Sequence, residues 1–215
     1  MNRSEQSLEA LQDIKKMMER SSRFISLSGW SGVSAGTAAL VGAWLANREM
    51  QAFHGSVGGR RGETDLVRSS VDLLSLQLIR IAAVVFIAAF VSAFLFTYLR
   101  SRKAGVAIWG PTAQRLMWNT VLPLLTGGVV ILKMLQLGSY GLIAPSCLIF
   151  YGLALVNGSK YTLGEIRWLG YAQVVLGLIN LWMPGYGLIF WATGFGVLHI
   201  IYGITMWLRY ERGER

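Results

Sequence analysis

The sequence predicts an all-α fold: a polytopic integral membrane helical bundle of six transmembrane helices, preceded by an amphipathic N-terminal helix. Three observations predict it. Hydrophobic residues make up 53% of the 215 and charged residues only 14%, where about 25% charged is usual in a soluble domain. The apolar residues fall in runs long enough for a helix to cross about 30 Å of hydrocarbon, which takes roughly 20 residues. The 25 Gly and eight Trp agree, since Gly is frequent in membrane helices and interfacial aromatics anchor them. With a mean hydropathy of +0.47, the chain is neither disordered, nor a coiled coil, nor a disulfide-rich secreted module.

The first element is residues 1–23, a soluble-type cytoplasmic helix. Leu8, Leu11, Ile14, Met17 and Met18 follow helical spacing and make one apolar face, with Glu9, Asp13, Lys16 and Arg20 opposite. Acids come first and bases last, which complements the helix dipole. Such a helix lies on the headgroups, or residues 4–23 dock a cytoplasmic protein partner or a second copy in a homo-oligomer. Because a largely polar segment of 23 residues precedes the first apolar run, that run reads as a retained helix and not as a signal peptide.

The transmembrane domain, 24–208, contains spans at about 24–46, 78–99, 116–137, 140–156, 163–183 and 187–208, and a cytoplasmic tail at 209–215 follows. The first span is rich in Ser, Gly and Thr yet carries no charge between Arg23 and Arg48. Along it Ser28, Gly32 and Gly36 recur every four residues, and Ala39 and Ala43 extend a small-residue face suited to close helix packing. Asn47–Asp65 reads as a flexible outer loop, and its glycines lack the strand and helix that a phosphate cradle needs. Thr64 and Asp65 should cap a helix from Leu66 that reaches Arg102 and includes the clearest span, where Ile81 to Phe96 holds nothing more polar than Ser92. Pro123, Gly127 and Gly128 should kink the third span. The fourth is short and carries Pro145 in its first turns, where a missing amide costs little.

A faint internal echo links the last four spans. Gly138-Ser-Tyr-Gly-Leu-Ile143 and Pro184-Gly-Tyr-Gly-Leu-Ile189 both fall at outer turns, and a duplicated hairpin would pack these spans as two similar pairs.

Lys and Arg in the flanks divide fourteen to four between the two sides, which places both termini in the cytoplasm. The pattern is similar to that of bacterial inner-membrane proteins, and the expected location is that plasma membrane. The net charge of +9 follows from this topology and from anionic inner-leaflet lipid. The lipid bilayer is therefore the expected partner, and nucleic acid is not. Trp44, Tyr140, Trp182 and Tyr186 mark the outer interface. Trp109, Trp118, Tyr161, Trp168, Trp207 and Tyr210 mark the inner one.

For chemistry the most informative feature is a gap: no acidic residue occurs between Asp72 and Glu165. Coupled transporters commonly use an intramembrane carboxylate, and hydrolases and di-metal centres use two. His199 lies near the middle of the sixth span, where an unpartnered imidazole is costly. With Gln173, Tyr202, Asn180 and Asn119 it makes a candidate polar intramembrane site. Arg80 and Lys133 either snorkel to the outer interface or form an outer anion contact. One His and the distant Cys147 do not make a zinc site.

No nucleophile–base pair, metal constellation or phosphate loop is recognisable, so no catalytic residue, no metal and no cofactor is predicted. The leading expectation is a non-enzymatic sensor or interaction scaffold. One alternative is a small-solute or ion permeation protein, with Asn119, Thr126, Gln173, Asn180 and His199 lining a path. The other is a membrane redox protein with a cofactor near His199.

Overall fold

The computed structural model describes residues 28–57, 64–103, 105 and 109–212. The amphipathic element expected within 1–23 lies outside them, as do 213–215. All regular structure among the described residues is helical, and four of the six helices are long and apolar enough to cross a membrane.

Helix α1 runs Gly29–Val57, α2 Thr64–Lys103 and α3 Pro111–Gln136. Helix α4, Ile143–Gly158, has a 3-10 turn at each end, Tyr140–Leu142 and Ser159–Tyr161. Helix α5 is Glu165–Leu181. Helix α6 spans Gly187–Glu211 but is not uniform, since Ala192–Leu198 and Trp207–Glu211 are π-helical. The four apolar spans lie in α2, α3, α4 with its flanking turns, and α6.

One expectation is corrected at α1. Asn47–Val57 is not loop; the helix continues through it. Arg, Glu, Met, Gln and Ala are strong helix formers, and no Pro interrupts the segment. Two contacts hold the extension: the Arg48 guanidinium sits 5.1 Å from the Trp44 ring, and His54 Nδ1 lies 2.6 Å from the Met50 carbonyl. With 29 residues α1 is about 43 Å long and outruns a hydrocarbon slab. Helix α2, at 40 residues, is about 60 Å long.

Packing follows the small residues. Helix α1 lies along α6, and their backbones nearly touch: a Cβ on Gly203 would sit 2.5 Å from the Gly29 carbonyl oxygen and 2.6 Å from the Val33 amide. Gly32 faces Gly203, and Gly36 faces Gly196. Helices α4 and α5 form a second such seam, where Gly152 and Gly170 each pack on the other's carbonyl oxygen. Helix α3 packs outside α4, with Gly127 against Phe150, and α2 packs outside α1, with Gly42 against Val85. The core is the zone shared by α4, α5 and α6, where Leu148 is wholly buried and Ala154, Ile166, Leu169 and Met206 are nearly so.

The duplicated hairpin is not seen. Helices α3 and α4 pack closely, but α5 meets α6 only lightly, because α5 spends Gly170 and Gly177 on α4 while α6 spends Gly196 and Gly203 on α1. The echoed turns differ too. Gly138, with φ +69°, closes α3 as a Schellman cap, in which its amide bonds Leu135 and the Ser139 amide bonds Met134. In the other turn the left-handed glycine is Gly185, φ +92°, one place out of alignment.

The apolar exterior is extensive. Along α2, Leu76, Ile79, Phe86, Phe90, Phe94 and Leu95 are all exposed, and no residue of its most apolar stretch is buried.

Candidate functional site

Where α4, α5 and α6 meet, a buried polar cluster is organised around one carbonyl. The π-helical turn Ala192–Leu198 interrupts the usual i→i−4 ladder of α6. There the Gly194 carbonyl oxygen accepts a hydrogen bond from Gln173 Nε2 of α5 at 2.8 Å. His199 Nδ1, from the next turn of α6, lies 3.0 Å from the same oxygen. A carbonyl can only accept, so Nδ1 carries the hydrogen, a tautomer assigned from the hydrogen-bond network. Nε2 of the neutral ring is then an acceptor, and the Tyr151 hydroxyl of α4 donates to it at 2.7 Å. Three helices are thus tied through Tyr151, His199, Gly194 and Gln173.

Aromatic rings close around this chain. Phe195 stacks on His199 at 6.0 Å and 16°, and Tyr151 and Trp191 lie 5.0 and 5.1 Å from Phe195. Glycine at 194 allows the close approach, since a Cβ there would fall 2.5 Å from Gln173 Oε1 and would also meet the Leu148 side-chain end, so both side chains would have to shift. Gln173 is fully buried, and His199 is 7% exposed. The Gln173 Oε1, Asn180 Oδ1 and Tyr202 hydroxyl oxygens are buried with no hydrogen-bond partner among the described residues.

Of the five polar residues singled out in the sequence, the structure brings His199 and Gln173 together. Tyr202 follows His199 on α6. Asn180 lies instead at the α5–α6 turn, where its Nδ2 donates to the Met183 carbonyl at 3.3 Å. Asn119 is on α3, donating to the Arg115 carbonyl, while its own carbonyl accepts Asn157 Nδ2 of α4. Thr126 is exposed and bonds back to Leu122. Arg80 and Lys133 are both exposed, on helices that are not packed on each other, and among the described residues Lys133 Nζ reaches Gln136, at 3.5 Å. Ser28 is buried beside Gly29, while Gly32 and Gly36 lie in the α1–α6 seam.

Sequence reasoning missed Tyr151 as the partner of His199. Its signal was there to find, since Tyr151 sits mid-span in the fourth apolar run, at the depth of His199 in the sixth.

A second polar cluster gathers at one end of the bundle. Glu211 accepts the Gly29 amide and Arg100 Nη1, each at 2.6 Å. Glu165 accepts Arg209 Nη1 at 2.9 Å and the Tyr210 hydroxyl at 2.6 Å. The start of α1, the end of α2, the start of α5 and the end of α6 therefore share one face. Among the described residues no group of three His, Cys, Asp or Glu is placed to hold a metal.

Comparison with known protein families, with curated proteins and with solved structures finds no match.

Proposed function

We propose that this chain is a six-span integral membrane protein, both termini on the cytoplasmic side of a bacterial plasma membrane, that works as an interaction scaffold or sensor. One observation carries the reading. The polar side chains able to line a path are instead engaged at separate places: Gln173 and His199 on Gly194, Asn157 on the Asn119 carbonyl, Asn180 on Met183 in the α5–α6 turn, and Thr126 back on Leu122. This favours a scaffold over a conduit.

A cofactor ligand at His199 is disfavoured on similar grounds. Nδ1 is engaged by the Gly194 carbonyl and Nε2 by the Tyr151 hydroxyl, so ligation would first have to break one of those bonds.

The test is deletion of residues 1–20 from the full chain, followed by purification from native membranes. Loss of a co-purifying protein, with the bundle still inserted, supports the scaffold. Unchanged composition together with solute flux in proteoliposomes of the intact chain would overturn it in favour of permeation.

A further inference from the structure

At the charged end, α5 begins and α6 ends around a recess of about 540 Å³, walled by Glu165, Arg167, Trp168, Arg209 and Tyr210. Its charges do not cancel. Glu165 is taken by Arg209 and Tyr210, which neutralises one arginine. Arg167 is exposed, its Nε lies 3.4 Å from the neutral Ser159 hydroxyl, and it has no ion pair among the described residues. The recess therefore keeps one net positive charge on a guanidinium fork suited to phosphate, and the first turn of the 17-residue α5 adds a partial positive charge.

An apolar track leads away from it. Trp168, Tyr171, Val175 and Leu178 recur at helical spacing along α5 and are all exposed, with the Trp168 and Tyr171 rings edge to face at 5.9 Å. A soluble phosphate has no use for such a track, whereas an acyl chain does.

We propose that this recess binds the phosphate headgroup of an anionic phospholipid. Arg167 is the main phosphate contact, Arg209 is the second and is steadied by Glu165, and the lipid tail follows the Trp168–Leu178 face. The proposal rests on the membrane reading above.

The full chain is reconstituted in phosphatidylcholine vesicles containing phosphatidylglycerol, with bromine on the acyl chains of one lipid or the other. The emission of Trp168 is obtained as the difference between wild type and Trp168→Phe. Brominated phosphatidylglycerol should quench it as if enriched about fivefold over its bulk fraction, the scale of one cation–lipid attraction. Arg167→Gln should abolish the enrichment, and Arg102→Gln, an exposed cation at the end of α2, should leave it intact. Equal quenching by the two brominated lipids, or an equal loss with Arg102→Gln, overturns the site. Abolition by millimolar inorganic phosphate assigns the recess to soluble phosphate and overturns the lipid assignment. An alkaline carbonate wash of the same vesicles separates the two failures: release of the chain refutes the membrane reading itself, whereas retention with equal quenching refutes the lipid site alone.

Discussion

Replacing Tyr151 by Phe removes a single hydroxyl from the polar cluster and leaves the ring packing against Phe195 in place. His199 Nε2 then faces a buried space with no donor. Two magnitudes compete. Stranding a buried acceptor costs about 1–3 kcal/mol, but interhelical hydrogen bonds in membrane proteins average about 0.6 and reach about 1.7 kcal/mol, because the unfolded chain in lipid finds other partners. Here His199 is 7% exposed and its Nδ1 is already committed to Gly194, so the ring cannot flip to rescue Nε2 without losing that bond. A cost of about 1 kcal/mol is expected, near fivefold in the folding equilibrium. The assay is reversible unfolding in mixed micelles of mild detergent and dodecyl sulfate, read by circular dichroism. A double-mutant cycle with His199→Leu isolates the pair, and its coupling should be about 0.6–1.7 kcal/mol. A coupling below about 0.3 kcal/mol, the scatter of independent sites, would refute the claim that this bond ties α4 to α6.

Other outcomes follow from the same packing. Gly203→Ala should destabilise by about 1–3 kcal/mol, as overpacking does, since its Cβ would meet α1 backbone. Gly128→Ala, with open space around it, should stabilise by roughly 0.5–1 kcal/mol through helix propensity; the same unfolding assay reads both, and equal effects would deny that the seam is tight. Gln173→Leu should cost under about 1.5 kcal/mol because it removes the unpartnered Oε1 along with one hydrogen bond, whereas Gln173→Glu, which must take up a proton to be buried beside the Gly194 carbonyl, should lose stability as pH rises; a Glu variant whose stability does not fall with pH would refute the burial of this side chain. In a Cys147→Ser background, cysteines at Ser139 and Gly185 should label with an impermeant maleimide from one side of sealed membranes and one at Lys160 from the other; labelling of all three from one side refutes six spans.

Legibility in the sequence varied with what each helix faces. Helix α2 was plain because it faces outward along nearly its whole length, so hydropathy alone describes it. The extension of α1 to Val57 was hidden because polar residues after Ala46 resemble a loop when read by hydropathy, although Glu49, Met50, Gln51 and Ala52 resemble a helix when read by propensity. The π turn at Ala192–Leu198 left no signal, since Ala-Thr-Gly-Phe-Gly-Val-Leu is compatible with ordinary α-helix; only the demands of Gln173 and His199 on one carbonyl reveal it. The pairing of Gln173 with His199 was legible from depth, while Asn180 and Asn119 shared the polarity without the position. Composition finds polar groups, and packing decides which of them meet.

Among the described residues, α1 and α5 are the helices not apolar or long enough to cross a membrane by their own character, and the six-span proposal rests on how they pack. Helix α5 runs antiparallel to α4 over its length, with Gly170 at Gly152 and Gly177 at Pro145. It meets α6 at both ends, through Glu165 at Arg209 and Asn180 near Gly187. If α4 and α6 cross the bilayer, α5 lies between the same two planes, even though 17 residues rise only about 26 Å. Helix α1 likewise follows α6 antiparallel, from Gly29 at Gly203 to Gly36 at Gly196, with α2 on another side. Such helices touch lipid over a smaller arc than α2 does, so their sequences can be spent on glycine, serine and amide groups that fit neighbouring helices. The polar composition of α1 and the shortness of α5 therefore accord with helices that spend one face on their neighbours and keep apolar side chains such as Trp44, Trp168 and Val175 for the other.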